Sequence, residues 1–204
     1  VQTNFLVEGF YTDLSDVFLL EEIGRDQQNN LLLERRNGKG ARVMGINLEA
    51  KLAYEWMQIQ AGATLQRSRY KEPEKWSGDE SLQPQKKMFR SPDVYGYVTS
   101  SFNPVKRLAV SLTGTYTGSM LMQHFAGYIP SDKEEKTPDF LDMSVKVAYD
   151  FPLFKSGTLQ VNAGVQNIFD SYQSDFDKGG SRDAGYIYGP SLPRSVYVGC
   201  KIMY

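Results

Sequence analysis

One cysteine and one histidine occur in 204 residues. A lone Cys200 excludes an intrachain disulfide and reads as a small apolar residue. A lone His124 leaves no Cys/His spacing for zinc and no Ser/His arrangement for acyl transfer. The sequence also lacks a Gly-rich phosphate loop between strand and helix, and shows no carboxylate pair set in an apolar pocket, so an enzymatic role is not expected. With 23 Lys and Arg against 24 Asp and Glu, a net charge of −1 gives no bias towards nucleic acid. There is no apolar run near ~18 residues, which excludes a transmembrane helix but says nothing about membrane strands, whose lumen-facing positions dilute hydropathy. No charged, apolar leader opens the chain, so either a signal peptide has been removed or the chain is a piece of something longer. Amphipathic helices of useful length are missing as well.

What is present is period-two alternation. In "ARVMGINLEAKLAY" Met44, Ile46, Leu48, Ala50, Leu52 and Tyr54 share one face. "MQIQAGATLQ", "LAVSLTGTYT", "FLDMSVKVAYDF" and "TLQVNAGVQN" repeat the pattern. With "DVYGYVTSSF", the opening segment and the closing "PRSVYVGCKIMY", this predicts about eight strands, each near the ~9–11 residues that a tilted strand needs to cross a bilayer. The opposite faces carry Gln, Asn, Thr, Ser, Lys, Glu and Asp in succession. That is too many polar groups for a dry core, and a hydrated lumen removes the difficulty.

Connection lengths alternate. Short turns are expected at 55–56, 103–106 and 152–157, and long polar stretches at 21–30, 71–87, 123–138 and 170–192. Short turns at one end and long loops at the other mark an outer-membrane barrel. A soluble β-sandwich would spread loop lengths over both ends. Tyr54, Trp56, Phe102, Tyr149, Phe151, Phe169, Tyr172 and Tyr204 fall near strand ends, where interfacial aromatic girdles sit.

The spelling near the end resembles a known family. "VNAGVQNIFDSYQ" and "DKGGSRDAGYIYGPSLPRSVYVGCKIMY" resemble the carboxy-terminal end of a TonB-dependent outer-membrane receptor: Asn167, Ile168, Phe169 and Asp170 close the penultimate strand. Arg182, Asp183, Gly189 and Pro190 follow in the loop, then Pro193, Arg194 and a final strand ending at Tyr204. Gly45 to Glu49 and the Arg90–Pro92 lead-in resemble further strands of the family, and the loop spellings look most like receptors of the Bacteroidetes. The resemblance implies an all-β, antiparallel transmembrane β-barrel, of which residues 1–204 supply the last ~8 of about 22 strands, without plug domain or earlier strands. It further implies bacterial outer-membrane localisation and TonB-dependent import of a scarce ligand. Expected partners are outer-membrane lipid, the TonB complex through the absent plug, the barrel-assembly machinery and a small-molecule ligand, with no nucleic acid. Loops of about 10 to 23 residues favour an iron–siderophore, haem or cobalamin over a glycan. The alternative is an independent eight-stranded barrel acting as adhesin or structural anchor.

Candidate sites follow. Val198, Cys200, Ile202 and Tyr204 form the alternating apolar signal that the family resemblance assigns to barrel assembly. Trp76, Tyr128, Phe176, Tyr186 and Tyr188 are loop aromatics able to meet a ligand at the outer mouth. "DFDKGGSRD" spaces Asp175, Asp177, Ser181 and Asp183 like the start of a calcium loop, but the twelfth position is Tyr186 and the bidentate glutamate is missing. The plain alternative is an acidic, turn-rich surface loop, and no other cofactor is expected. Met120, Met122 and His124 could offer soft ligands to a metal; their parity instead predicts an upper lipid-facing band with His124 just above it. Glu49, Lys51, Asp142, Lys146, Asp150 and Lys201, with Arg67 and Arg69, are assigned to the lumen wall.

Overall fold

The computed structural model describes residues 1–28, 30–154 and 156–204. Long strands form where the alternation is longest: β1 (Gln2–Leu14), β4 (Ala41–Tyr54), β5 (Met57–Glu74), β7 (Val94–Val105), β8 (Leu108–Thr117), β11 (Phe140–Leu153), β12 (Gly157–Gln166) and β13 (Ser195–Met203). They pair antiparallel in the order β1-β4-β5-β7-β8-β11-β12-β13, an up-and-down meander in one sheet. Short strands sit in the connections: β2 (Phe18–Arg25) pairs with β3 (Leu31–Asn37), β6 (Gln85–Lys87) adds to β5, and β9 (Leu121–His124) pairs with β10 (Lys133–Lys136). Among the described residues β1 and β13 each pair on one side only, so the sheet is open and the eight strands do not close on themselves.

Register fixes which residues share a face, because directly paired residues point the same way. Met44, Ile46 and Leu48 of β4 therefore lie with Tyr11, Gly9 and Val7 of β1, and Leu141, Met143 and Val145 of β11 with Tyr116, Gly114 and Leu112 of β8. This outward face is apolar and uncovered: Phe5 is 77% exposed and Val198 76%. Such an inversion of inside and outside fits a hydrocarbon neighbour rather than water. At the short-turn end Tyr54 packs edge-on against Trp56, and Tyr149 lies 4.8 Å from Phe151.

The inward face carries the polar series. Glu49, Lys51, Asp142, Lys146, Asp150 and Lys201 all have inward parity, as expected. Arg67 and Arg69 do not: Arg67 pairs with Met44 and Arg69 with Arg42, which places both on the outward face. On the inner wall Tyr97 lies over Gly62 and Tyr197 over Gly164, so close that an added Cβ would stand 2.5 and 2.6 Å from the ring. Only glycine lets these rings lie flat across the strand.

Candidate functional site in the loop layer

The buried apolar clusters lie at the long-loop end of the sheet and in the loops beyond it. Leu19, Ala41 and Tyr70 form one, flanked by Val17 and Met88; Met120, Met122 and Tyr186 form the other, against Tyr188. This corrects the lipid-facing expectation for Met120 and Met122, which are 9% and 0% exposed. β8 ends at Thr117, and Gly118 and Ser119 turn the chain before β9 begins, so strand parity does not carry across.

Three side chains hold the last long loop, which has no regular strand of its own. Asn167, at φ 48°, accepts from the Ser171 amide and donates to the carbonyls of Ser171 and Leu192. Asp170 accepts from the Arg194 amide at 2.7 Å. Gln173 is 1% exposed: its Oε1 accepts from the amides of Tyr188 and Gly189, and its Nε2 donates to the Tyr186 carbonyl. Gln173 was not singled out in sequence, because its partners lie 13 to 16 positions away and no local pattern marks it.

Above this core, His124 stacks on Tyr186 and its Nε2 lies 3.0 Å from both Asp177 oxygens. The hydroxyls of Tyr186 and Tyr188 donate to opposite oxygens of Asp175 at 3.0 and 2.7 Å. Burial first, and then the Asp175 carboxylate, push both phenols above the usual tyrosine range, so they stay protonated donors. Asp183 accepts from the amides of Phe125 and Gly185. The calcium reading of Asp175, Asp177, Ser181 and Asp183 is not supported by this geometry. The carboxylates turn to tyrosines, His124 and amides, and among the described residues no three His, Cys, Asp or Glu side chains converge on a metal position.

The four long connections also touch one another. Arg90 donates to the carbonyls of Gly185 and Ile187. Arg25 donates to the Ala126 carbonyl, and Ser77 to Asp132. Glu22 is raised from 4.5 to about 7, by burial first and then by the neighbouring Asp132 carboxyl. Between these loops lies a cavity of about 950 Å³, within the range of small-molecule sites. Its wall includes Phe18, Trp76, Phe89 and Phe125 with four cations, Arg25, Lys75, Arg90 and Arg182, against two carboxylates, Glu74 and Asp183. Glu74 already accepts from the Lys39 amide and lies 3.7 Å from Arg36, and Asp183 holds two amides, so the lining is net positive.

The aromatic expectations divide. Trp76 lines the cavity but is 3% exposed, wedged edge-on between Phe89 and Phe125; Tyr186 is buried under His124. Their role is packing. Tyr128 is 52% exposed, Phe176 is half-buried, and Tyr188 is tied to Asp175.

No protein-family model and no curated protein sequence matches the chain. Solved structures do. The ferric-catecholate import receptor Fiu from E. coli K12 superimposes at a TM-score of 0.60 with 18% identity, over 98% of this chain and 25% of its own. A mutant of the ferric enterobactin receptor PfeA from Pseudomonas aeruginosa gives 0.55 and 14%, over 97% and 28%. The FrpB iron transporter from Neisseria meningitidis gives 0.53 and 17%, over 98% and 29%. The chain spans between a quarter and three-tenths of each. Its fold is that of a segment of a TonB-dependent receptor barrel.

Proposed function

We propose that this chain forms part of the wall and outer loops of an outer-membrane receptor that imports a scarce iron chelate, haem or cobalamin in a TonB-dependent manner. The observation that carries the reading is the net-positive, aromatic-walled cavity where the four long loops meet, on a sheet whose outward face is apolar. Lys75 and Arg182 offer cationic donors to an anionic chelate, Arg25 and Arg90 add positive charge while holding loop carbonyls, and Phe89 and Phe125 offer apolar walls to its rings. The chain does no chemistry on the ligand. TonB would act through a plug that lies outside residues 1–204. The alternating Val198, Cys200, Ile202 and Tyr204 serve recognition by the assembly machinery, and the outer-membrane location follows from the same reading.

The test uses the full-length protein carrying this chain, purified in detergent and titrated with a ferric tris-catecholate, haemin and cyanocobalamin while tryptophan fluorescence is followed. Saturable binding of one of them, with uptake in cells lost when TonB is deleted, is expected. Binding of none, or uptake indifferent to TonB, would overturn the proposal.

A further inference from the structure

Arg42 pairs directly with Arg69 across β4 and β5, and Arg69 pairs in turn with Lys87 on β6. Three cations thus stand side by side on neighbouring strands, and Arg67 lies one pleat below them opposite Met44. All point outward, on the face of Ile46, Leu48 and Leu65 rather than into the lumen.

Like charges placed directly opposite destabilise a sheet unless something neutralises them. At its two ends the row has internal partners: Asp13 accepts from Arg42 Nε at 3.1 Å and from Lys71, and Asp93 takes Lys87 Nζ at 2.7 Å. Arg67 and Arg69 meet no carboxylate among the described residues. The middle of the row lacks its counter-charge.

Position supplies the missing partner. From Met44 to Tyr54 the outward residues of β4 are apolar, about ten steps of ~3.3 Å; at a tilt of ~45° they cover ~23 Å, close to the height of a barrel's hydrocarbon band. Arg67 sits at the edge of that band on the long-loop side, and Arg42 and Arg69 one pleat beyond, at the depth of lipid head groups. Guanidinium forks match phosphate oxygens in pairs. We propose that Arg67 and Arg69, with Arg42, bind the phosphate of an anionic lipid in the leaflet facing the long loops. The inference rests on the membrane reading, since it is the continuity with the apolar face that selects a lipid over a soluble anion.

The experiment takes the full-length protein in nonionic detergent and measures retention of diphosphorylated lipid A and of its dephosphorylated counterpart by native mass spectrometry. An Arg67→Gln/Arg69→Gln variant is compared with an inward-facing control, Lys51→Gln/Lys146→Gln. Heat-modifiable gel mobility reports folding of each. The expected result is preference for the phosphorylated lipid, weakened at least about tenfold in the outward variant and unchanged in the control. Equal retention of both lipids, equal weakening by the control, or displacement by millimolar inorganic phosphate would each overturn the proposal. Failure of the wild-type protein to remain folded in detergent would instead remove the membrane reading beneath it.

Discussion

The imidazole of His124 lies face to face with the phenol of Tyr186, ring centroids 3.6 Å apart and planes 7° from parallel, although the two residues come from loops 62 positions apart. The stack joins the β9–β10 hairpin to the strandless loop before β13, with Asp177 fixing the imidazole from its edge.

His124→Ala removes a buried ring and one partner of a buried carboxylate, which mutational precedent places at about 2–4 kcal/mol. Limited proteolysis should then cut within 118–139 while the sheet stays intact. Tyr186→Phe keeps the stack and loses only the hydroxyl to Asp175, whose other oxygen still holds Tyr188, so a loss of about 1 kcal/mol is expected.

Gln173→Ala orphans the amide of Tyr188 and the carbonyl of Tyr186 in a buried loop. Amide hydrogen exchange at Tyr188 should accelerate by one to two orders of magnitude, in line with about 2–3 kcal/mol of lost local protection. Gln173→Glu keeps the acceptor and forfeits the donor, so its effect should fall between wild type and alanine.

The Glu22–Asp132 pair gives the loop layer a pH response. Glu22 titrates near 7 in the folded chain, above its ordinary 4.5, so the folded state holds a proton that the unfolded state releases. The contribution is full below about 4.5 and is lost as pH rises through about 7. Exchange at the Ala126 amide, which donates to Asp132, should therefore be faster at pH 8 than at pH 5.5 after correction for intrinsic rates, and Glu22→Gln should flatten the difference.

Charge on the wall separates the two faces. Leu48→Arg puts a cation near the middle of the apolar band and should destabilise the folded protein in bilayers by ~2–4 kcal/mol. Thr113→Arg, with inward parity on β8, should be near neutral. Refolding titrations into lipid vesicles compare them.

The wall is legible in the sequence because period two is a local signal, carried without interruption by β8, β11 and β12, by β4 from Met44 onwards and by β5 as far as Leu65. Arg67 and Arg69 were misplaced for the opposite reason: charge was read as a lumen mark, although their parity with Leu65 already pointed outward. Met120 and Met122 failed at a break that Gly118 announces, where the parity starts afresh. Trp76 and Tyr186 stand out in sequence because aromatic faces can meet a ligand; sequence does not show that loops of this length need cores of their own, to which these rings contribute. Hydrogen bonds such as those of Gln173 depend on two segments meeting, which no single stretch of sequence encodes.

The short turns also set an order of assembly. Each of β4–β5, β7–β8 and β11–β12 joins neighbours through a few residues, so these hairpins can form on a microsecond scale without the rest of the chain. The contacts of the loop layer are of another kind: Arg25 reaches a carbonyl 101 positions away and Arg90 one 95 positions away. Those closures are improbable until the strands beneath have brought the loops to one end. A nascent molecule with its strands half placed thus lacks the loop cavity, which becomes a property of the finished wall alone.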